Sequence, residues 1–249
     1  MKAIKTTLLL TLLLCFTINF LQAQKLYQVH VDFVKPSKIG DYEKIAKDFT
    51  EACKKYQPQA SWITVKTSDN RYMYVSPMEN FAELDKNIFS DMAKAMGDSF
   101  GDMFKNFNTC YDKHGDYVLT LDEGLTYMPE GITQTPEGEN YRKFFFLYYT
   151  PENQGKLREA MKAIKETFAN KGSKEYYRVY RSGFGVIDSY YMVAVAAKDE
   201  IDSATRGKAN DELLGESAKE IFGNLMGTLS EFEEVSAWMR PDLYYQPSN

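Results

Sequence analysis

The stretch Tyr27-Gln28-Val29-His30-Val31-Asp32-Phe33 decides the fold, because the chain repeats its context later in the sequence. Apolar and polar residues alternate in it with a period of two, which predicts a half-buried strand. Pro36 breaks the strand, and a segment with apolar residues at helical spacing begins after Gly40. The helical face consists of Tyr42, Ile45, Ala46, Phe49 and Cys53. A strand followed by an amphipathic helix is therefore predicted.

The same arrangement recurs 115 residues further along the chain. The aromatic run Phe144–Tyr149 is broken at Pro151 and followed by Gly155. A second helical face then combines Leu157, Ala160, Met161, Ile164 and Phe168. The proline, the glycine and the helical face are all displaced by the same 115 residues, which indicates an internal duplication.

Each copy continues with a strand pair, a second helix and a closing strand. The predicted strands are 61–67 and 71–76 in one copy, and 176–181 and 190–196 in the other, with turn residues between the partners. The second helices are predicted at about 82–108 and 211–230, and closing strands at the two Leu-x-Tyr-x-Pro segments, 125–129 and 243–247. Each copy thus reads β-α-β-β-α-β, the order of a ferredoxin-like unit. We predict repeats over 24–130 and 141–249, joined by a polar linker over 131–140.

This duplicated pattern resembles the dimeric α+β barrel superfamily, which includes NIPSNAP-like and antibiotic-biosynthesis-monooxygenase-like domains. The resemblance covers nearly all of residues 25–247 and rests on element order and repetition. It implies an α+β fold in which two tandem ferredoxin-like βαββαβ repeats pack their sheets face to face, as an intrachain version of the dimeric barrel. Because this fold supports unrelated activities, it does not fix the function.

The first 23 residues are typical of a signal peptide. Lys2 and Lys5 precede the apolar run Leu8–Leu14, and Ala23 supplies a small residue for cleavage. A retained membrane anchor is the alternative, but the apolar run is short for a spanning helix. We expect an exported protein, periplasmic or secreted, with no membrane span after cleavage.

The charge of the expected mature chain argues against nucleic acid as a partner. Cleavage removes two of the 30 basic residues and none of the 35 acidic ones, which leaves a net charge of about −7. Binding to phosphates needs a basic face, and no cluster of Lys and Arg stands out.

His30 and Asp32 are the candidate catalytic residues. Strand alternation places both on the face opposite Val29 and Val31. If the valine face meets the helices, the pair looks into the space between the two sheets, where Asp32 can orient the imidazole of a general base. A polar pair satisfied by tyrosines of the other copy is the alternative. In the second copy Phe145 and Leu147 occupy the same positions.

A second group combines aromatic rings with guanidinium groups in the second copy. Arg178 and Tyr180 alternate on one strand, and Trp238 and Arg240 alternate near the end of the chain. Such a group suits a flat or anionic small ligand, although ordinary stacking gives the same pattern.

The remaining chemistry-bearing residues point to no cofactor and no metal. His114 is expected in a polar turn, far from His30, so no metal-ligand set is predicted. Haem is bound through histidine in some relatives of this architecture, yet the second copy has no histidine. A Walker loop, an H-E-x-x-H, a C-x-x-C and a G-x-S-x-G motif are all missing from the sequence.

Cys53 and Cys110 each lie near the end of a predicted helix of the first copy. Parallel helices on one side of a sheet bring such ends to the same edge, so either a disulfide or two free thiols is consistent with the sequence.

Three functions remain open from the sequence. The first is a non-catalytic exported protein that binds a small molecule or a partner in the barrel. The second is a cofactor-free or haem-linked monooxygenase-like enzyme, and the third is a structural or interaction protein. The oligomeric state is not predicted.

Overall fold

A computed structural model describes residues 25–248, so the predicted signal peptide lies outside the described residues. The strands are β1 (Leu26–Val34), β2 (Ile63–Thr67), β3 (Arg71–Met78), β4 (Tyr111–Leu121), β5 (Tyr141–Tyr148), β6 (Tyr177–Ser182), β7 (Tyr190–Ala197) and β8 (Glu231–Met239). The α-helices are α1 (Ile39–Tyr56), α2 (Ser90–Met96), α3 (Asp98–Asn108), α4 (Gln154–Lys171), α5 (Glu200–Leu214) and α6 (Glu216–Met226). We call residues 25–130 the first half and residues 141–248 the second half.

The eight strands form one closed antiparallel barrel in the order β1-β3-β2-β8-β5-β7-β6-β4. Each half contributes four adjacent strands. The halves join edge to edge, through β2 with β8 and through β4 with β6. The predicted sheets therefore face each other across one barrel that is also hydrogen-bonded along both seams.

The barrel interior is filled by side chains from both halves. Val29 and Val31 of β1 meet Phe144 and Phe146 of β5 in one buried cluster that also includes Met192. The neighbours on β1, His30 and Asp32, consequently point outward, toward the helices. The arrangement on which an inward-facing His30 and Asp32 depended, with the valine face against the helices, is thus not the one found, because the valines fill the barrel.

The second helix of each half is broken in two. Gly97 separates α2 from α3, and Gly215 separates α5 from α6, with nearly the same backbone angles of φ +60°, ψ −137° and φ +61°, ψ −143°. The predicted helices at 82–108 and 211–230 are therefore wrong in extent. In the first half residues Phe81–Asp85 form a 3₁₀ turn, whereas in the second half α5 already starts at Glu200.

The two Leu-x-Tyr-x-Pro segments are tails, not closing strands. The closing strands are β4 and β8, and each tail crosses to the opposite half: Tyr127 forms a bridge with Tyr177, and Tyr245 with Trp62. Leu125 packs in the helix layer of the second half, and Leu243 in that of the first. The sequence predicted an element here from its apolar spacing but assigned it to the wrong half.

Candidate functional site

Two cavities lie between the barrel wall and the helices, one in each half. The first cavity has a volume of about 640 Å³ and the second about 540 Å³. His30 and Asp32 line the first cavity. The predicted pair is thus placed at a cavity, but on the outer side of the barrel and not between the sheets.

His30 sits between two carboxylates. Its Nδ1 lies 3.1 Å from an oxygen of Asp116, and its Nε2 lies 3.2 Å from an oxygen of Asp32. Burial would lower the pKa of the imidazole, but the hydrogen bonds to Asp116 and Asp32 outweigh it and raise the pKa to about 9. In this arrangement His30 is a cation at neutral pH, so the predicted role as a general base is not favoured.

Asp32 continues the hydrogen-bonded chain into the helix layer. The hydroxyl of Tyr42, on α1, donates to the second oxygen of Asp32 at 2.6 Å and lies 2.9 Å from the hydroxyl of Tyr74, on β3. Desolvation, together with Tyr74 and Asp32, raises the pKa of Tyr42 well above its ordinary value. Tyr42 is therefore a neutral donor that fixes one oxygen of a carboxylate which is only 4% exposed.

His114 lies beside this chain, contrary to the sequence prediction. It belongs to β4, where it pairs directly with Asp32 of β1, while Asp116 pairs with His30. The rings of His30 and His114 are 5.6 Å apart, and His114 stacks on Tyr111. The expectation that the two histidines lie far apart is wrong, because the segment around His114 is not a polar turn but part of β4, which pairs with β1. We call His30, Asp32, His114 and Asp116 the polar cluster.

Aromatic rings form much of the remaining wall of the first cavity. Phe49 of α1 packs against Trp62, which precedes β2, and against Phe89, which precedes α2. Phe104 and Phe107 of α3 also line the cavity. The first cavity thus combines flat apolar walls with the polar cluster on the barrel side.

The second cavity lacks such a polar chain. Its barrel side presents Phe145, Leu147 and Val193, and its helix side includes Met161 and Phe168. Charged and polar groups in its lining are Lys143, Glu175, Ser203, Lys208, Asn210 and Asp211. The lining contains no histidine, so this cavity offers no imidazole ligand for haem.

Arg178 and Tyr180 point into the barrel and hold the linker. The guanidinium of Arg178 is 3% exposed and donates to the carbonyl of Thr133, and the hydroxyl of Tyr180 lies 3.1 Å from the side-chain nitrogen of Gln134. Arg142 acts likewise, through the carbonyls of Gln134 and Glu139. These contacts favour a role in fastening the linker across the barrel end.

Trp238 and Arg240 lie elsewhere, on the outside of the barrel. Trp238 is 41% exposed and packs edge-on against Tyr141, while Arg240 pairs with Glu43 and Asp242. The structure thus does not bring the four residues of the predicted ligand group together.

Cys53 and Cys110 are both buried free thiols in the structure. Cys53 lies 3.9 Å from the sulfur of Met92, whereas Cys110 packs with Val34 and Tyr42 in a different cluster. The structure does not bring them together.

Sequence reasoning missed several residues of the first cavity. Tyr42 was assigned to the apolar face of a helix, Trp62 fell in a predicted strand without a role of its own, and Asp116 fell in the predicted polar turn. A signal for Asp116 and His114 was present, because His30-Val31-Asp32 and His114-Gly115-Asp116 are both His-x-Asp sequences. On neighbouring antiparallel strands two such sequences place each histidine opposite an aspartate.

Comparison with solved structures shows a likeness in fold. No family model and no curated protein matches the sequence. The structure is similar to that of an anthrone oxidase-like protein, with a TM-score of 0.59 at 13% identity over 87% of this chain and 91% of that one. A proposed monooxygenase from Lactobacillus acidophilus gives a TM-score of 0.53 at 8% identity, over 87% of this chain and 94% of that one. A mutant chlorite dismutase from Candidatus Nitrospira defluvii gives 0.50 at 9% identity, over 87% and 92%.

Within residues 25–248, no helix is both long enough and apolar enough to cross a membrane.

Proposed function

We propose that this chain, which has the fold of the dimeric α+β barrel superfamily, binds a flat, mainly apolar small molecule with a hydrogen-bonding head group in its first cavity. The observation that carries the proposal is the polar chain from Tyr74 through Tyr42 and Asp32 to His30, set in an otherwise aromatic wall. Cavities of this volume suit drug-sized ligands, and a few convergent polar groups fix their orientation.

The aromatic side of the cavity favours a planar ligand. Rings that pack in offset or edge-on geometry stabilise one another beyond the burial of their area. Phe49, Trp62 and Phe89 already pack in this way around the cavity. A fused-ring ligand extends that packing, while His30 and Tyr74 supply polar atoms for its head group.

A pair of two-ring probes tests the proposal. The chain has two tryptophans, of which Trp62 lines the first cavity and Trp238 lines neither described cavity. In the variant Trp238→Phe, quenching of Trp62 fluorescence therefore reports on the first cavity. We expect 2-naphthol to bind about 10- to 100-fold more tightly than naphthalene, since one hydrogen bond to a charged group contributes roughly 1.5–3 kcal/mol.

Two sets of variants make the result specific to the first cavity. The double variant His30→Phe/Asp32→Leu, which installs the residues of the second half, should remove the difference between the two probes. Ala60 lines the first cavity and Ala204 the second, so Ala60→Leu should weaken binding and the matched Ala204→Leu should not. Equal affinity of the two probes, or a loss of binding with Ala204→Leu only, would contradict the proposal.

Oxidation of the bound molecule is a second candidate function. It is supported by the carboxylate of Asp116, which lines the first cavity beside His30 and can accept a proton from the ligand, and by the similarity to an anthrone oxidase-like protein and a proposed monooxygenase. Anthrone and O₂ give anthraquinone and water without another reductant. Uptake of O₂ with anthrone, faster than in the His30→Phe variant, is the expected result. Uptake of O₂ at the background rate would contradict this second function and leave ligand binding as the only proposed one.

Haem does not fit the described residues. A haem iron is already held by its macrocycle, so the carboxylate oxygens 3.1 and 3.2 Å from the two ring nitrogens of His30 would collide with the macrocycle instead of sharing the iron. His114 lines neither cavity, and the lining of the second cavity contains no histidine. Haem therefore has no part in either proposed function.

We also infer that the chain arose by tandem duplication of a ferredoxin-like unit and that it is exported. The duplication is supported by the repeated element order and by glycine breaks at equivalent places. Export is supported by the sequence of residues 1–23. N-terminal sequencing of protein recovered from the periplasm or medium should begin at Gln24, and an uncleaved chain in the membrane fraction would overturn the export proposal.

A further inference from the structure

The polar cluster contains both histidines of the chain on one face of two neighbouring strands. In the β1–β4 pair His30 lies opposite Asp116, and Asp32 lies opposite His114. Side chains of directly opposed residues in an antiparallel pair point to the same side of the sheet. The two His-x-Asp sequences therefore form a compact square of two imidazoles and two carboxylates, three of which line the first cavity.

We propose that this square is a binding site for a divalent transition-metal ion, with His30, His114 and Asp32 as the ligands. One nitrogen from each histidine and one oxygen of Asp32 all lie within 4.8 Å of one another. With metal–ligand bonds of about 2.1 Å, ligand atoms are expected roughly 3.0–3.4 Å apart. His30 Nε2 and Asp32 Oδ1 are already 3.2 Å apart, and His114 Nδ1 lies 4.0 Å from the same oxygen.

Binding needs only a small movement of one side chain. The side chain of His114 is 54% exposed, whereas that of Asp32 is 6% exposed. A rotation of the His114 ring toward Asp32 brings the third ligand atom into range without a change in the backbone or in the buried carboxylate. Tyr111, which stacks on His114, lies 5.1 Å away between ring centres and limits how far the ring can turn outward.

The hydrogen bonds around the proposed ligands resemble those found around the ligands of metal sites in proteins. Ligating histidines usually donate their other ring N–H to a carboxylate, which fixes the ring and its tautomer. Asp116 occupies that place beside Nδ1 of His30, at 3.1 Å. Tyr42 holds the second oxygen of Asp32, at 2.6 Å, so that the first oxygen faces the two histidines. Both inner ligands are thus oriented by groups outside the ligand set.

The ligand types indicate the class of ion. Two imidazoles and one carboxylate favour zinc, iron(II), cobalt(II) or nickel(II) over calcium and magnesium, which prefer oxygen. Three protein ligands leave coordination positions open, as in catalytic metal sites and not in closed structural ones. Because His30 and Asp32 line the first cavity, an open position can be reached from it.

Titration of the purified chain, free of any histidine tag and stripped with a chelator, tests the site. Zn²⁺ is followed by calorimetry and Co²⁺ by its visible absorption, which reports the ligand field directly. We expect one ion per chain. His114→Phe, which installs the residue found at the paired position of the second half, should weaken binding by more than about 100-fold, since even changes to the groups that orient a ligand cost roughly 10- to 100-fold.

Two further variants show whether the ion binds at a defined site or is attracted to acidic groups in general. Asp116→Asn keeps all three ligands and should weaken binding about 10- to 100-fold. Glu234 lies opposite Phe145, as Asp116 lies opposite His30, so Glu234→Gln is the matched control and should bind like the parent. Zn²⁺ should raise the melting temperature of the parent and of Glu234→Gln, but not of His114→Phe.

Weak binding without a defined stoichiometry would overturn the proposal, as would equal affinity of the parent and His114→Phe. Circular dichroism of His114→Phe shows whether the variant is folded, and the exposed position of the ring makes folding the expected result. The titration needs no organic ligand, so its failure would leave the proposed ligand binding in the first cavity untouched.

Discussion

The two halves build the same layer between barrel and helices from opposite kinds of residue. Where the first half has polar groups, the second half has apolar ones at equivalent positions in the offset or the strand register: His30 against Phe145, Asp32 against Leu147, Tyr42 against Leu157, and Tyr74 against Val193. At the β4 and β8 positions His114 corresponds to Phe232. The fold forms without these polar groups, so folding alone does not explain their presence in the first half.

Other features are shared, and they mark what the fold requires. Each half ends in a tail that packs on the other half, and each has a helix broken at a glycine. The first helix of each half also forms an ion pair with the residue that follows the last strand of the other half. Glu43 of α1 pairs with Arg240, and Arg158 of α4 pairs with Asp122. The two ion pairs, which we call the charge-exchanged ties, occupy equivalent places with the acidic and the basic residue exchanged. This indicates that the fold needs an ion pair at this place but not a particular arrangement of its charges.

The largest effect is expected when the polar residue is moved into the second half. Leu147 is 3% exposed and packs in the apolar cluster with Leu157 and Tyr191. Leu147→Asp should lower the free energy of unfolding by about 4 kcal/mol or more, because it buries a carboxylate without the donor that Tyr42 gives Asp32. Urea denaturation at pH 7 measures the change.

Two matched substitutions test whether the surroundings of the side chain, and not the substitution itself, cause the difference between the halves. Leu147→Met keeps the volume and should cost less than about 1.5 kcal/mol. Asp32→Leu, the reverse exchange, should cost roughly 1 kcal/mol, since the lost hydrogen bond is offset by apolar burial. If Leu147→Asp were no worse than Leu147→Met, the two halves would not differ in their tolerance of charge, and the comparison would fail.

The sequence predicted the mixed α+β fold well because its order of strands and helices is carried by periodic features. The alternation along residues 27–33 is a local property that a single sequence displays directly. The same holds for the breaks at Pro36 and Pro151 and for the helical faces of α1 and α4. The predicted α+β barrel is confirmed by the closed eight-stranded barrel of the structure and by its likeness in fold to the solved structures.

The site was predicted only in part, because its geometry depends on which side of β1 faces the barrel. Alternation alone separates His30 and Asp32 from Val29 and Val31 but does not say which set is inside. The choice is made by the apolar residues of β5 and β7, which fill the interior only together with the valines. Tyr42 could not be distinguished from a core residue, since its ring is fully buried and only its hydroxyl reaches Asp32.

The broken helices give a test in which the halves should behave alike. Gly97 and Gly215 have positive φ, and a Cβ added at either would meet no atom within 4 Å. Alanine at either position therefore costs backbone strain alone, about 1–3 kcal/mol. Thermal unfolding of Gly97→Ala and Gly215→Ala should show destabilisation of similar size.

The matched glycines lie inside the following helices. Gly101 of α3 and Gly223 of α6 also leave open space around an added Cβ. Alanine there should stabilise the protein by about 0.5–1 kcal/mol through helix propensity. Should only one of the two substitutions, Gly97→Ala or Gly215→Ala, destabilise the protein, the two breaks would not be equivalent structures.

The last prediction concerns the charge-exchanged ties and their response to acid. Burial would raise the pKa of Glu43, but hydrogen bonds from Arg240, Tyr72 and Lys66 outweigh it and lower the pKa from 4.5 to about 2. A carboxyl whose pKa is lower in the folded state stabilises the protein above its unfolded pKa, and the stabilisation disappears as the pH falls through the folded value. We expect the free energy of unfolding to fall by roughly 1–2 kcal/mol between pH 4.5 and 2 from this group, allowing for its partial exposure.

Glu43→Gln separates this contribution from general acid denaturation. The variant should be less stable than the parent at pH 7, and the difference should shrink toward zero as the pH falls through 2, where the carboxyl of Glu43 becomes protonated in the folded state. Asp91 has a side chain that is 99% exposed, so Asp91→Asn should follow the parent at every pH. A constant difference between Glu43→Gln and the parent from pH 7 to 2 would mean that Glu43 acts through packing, and the tie of the first half would then not be electrostatic.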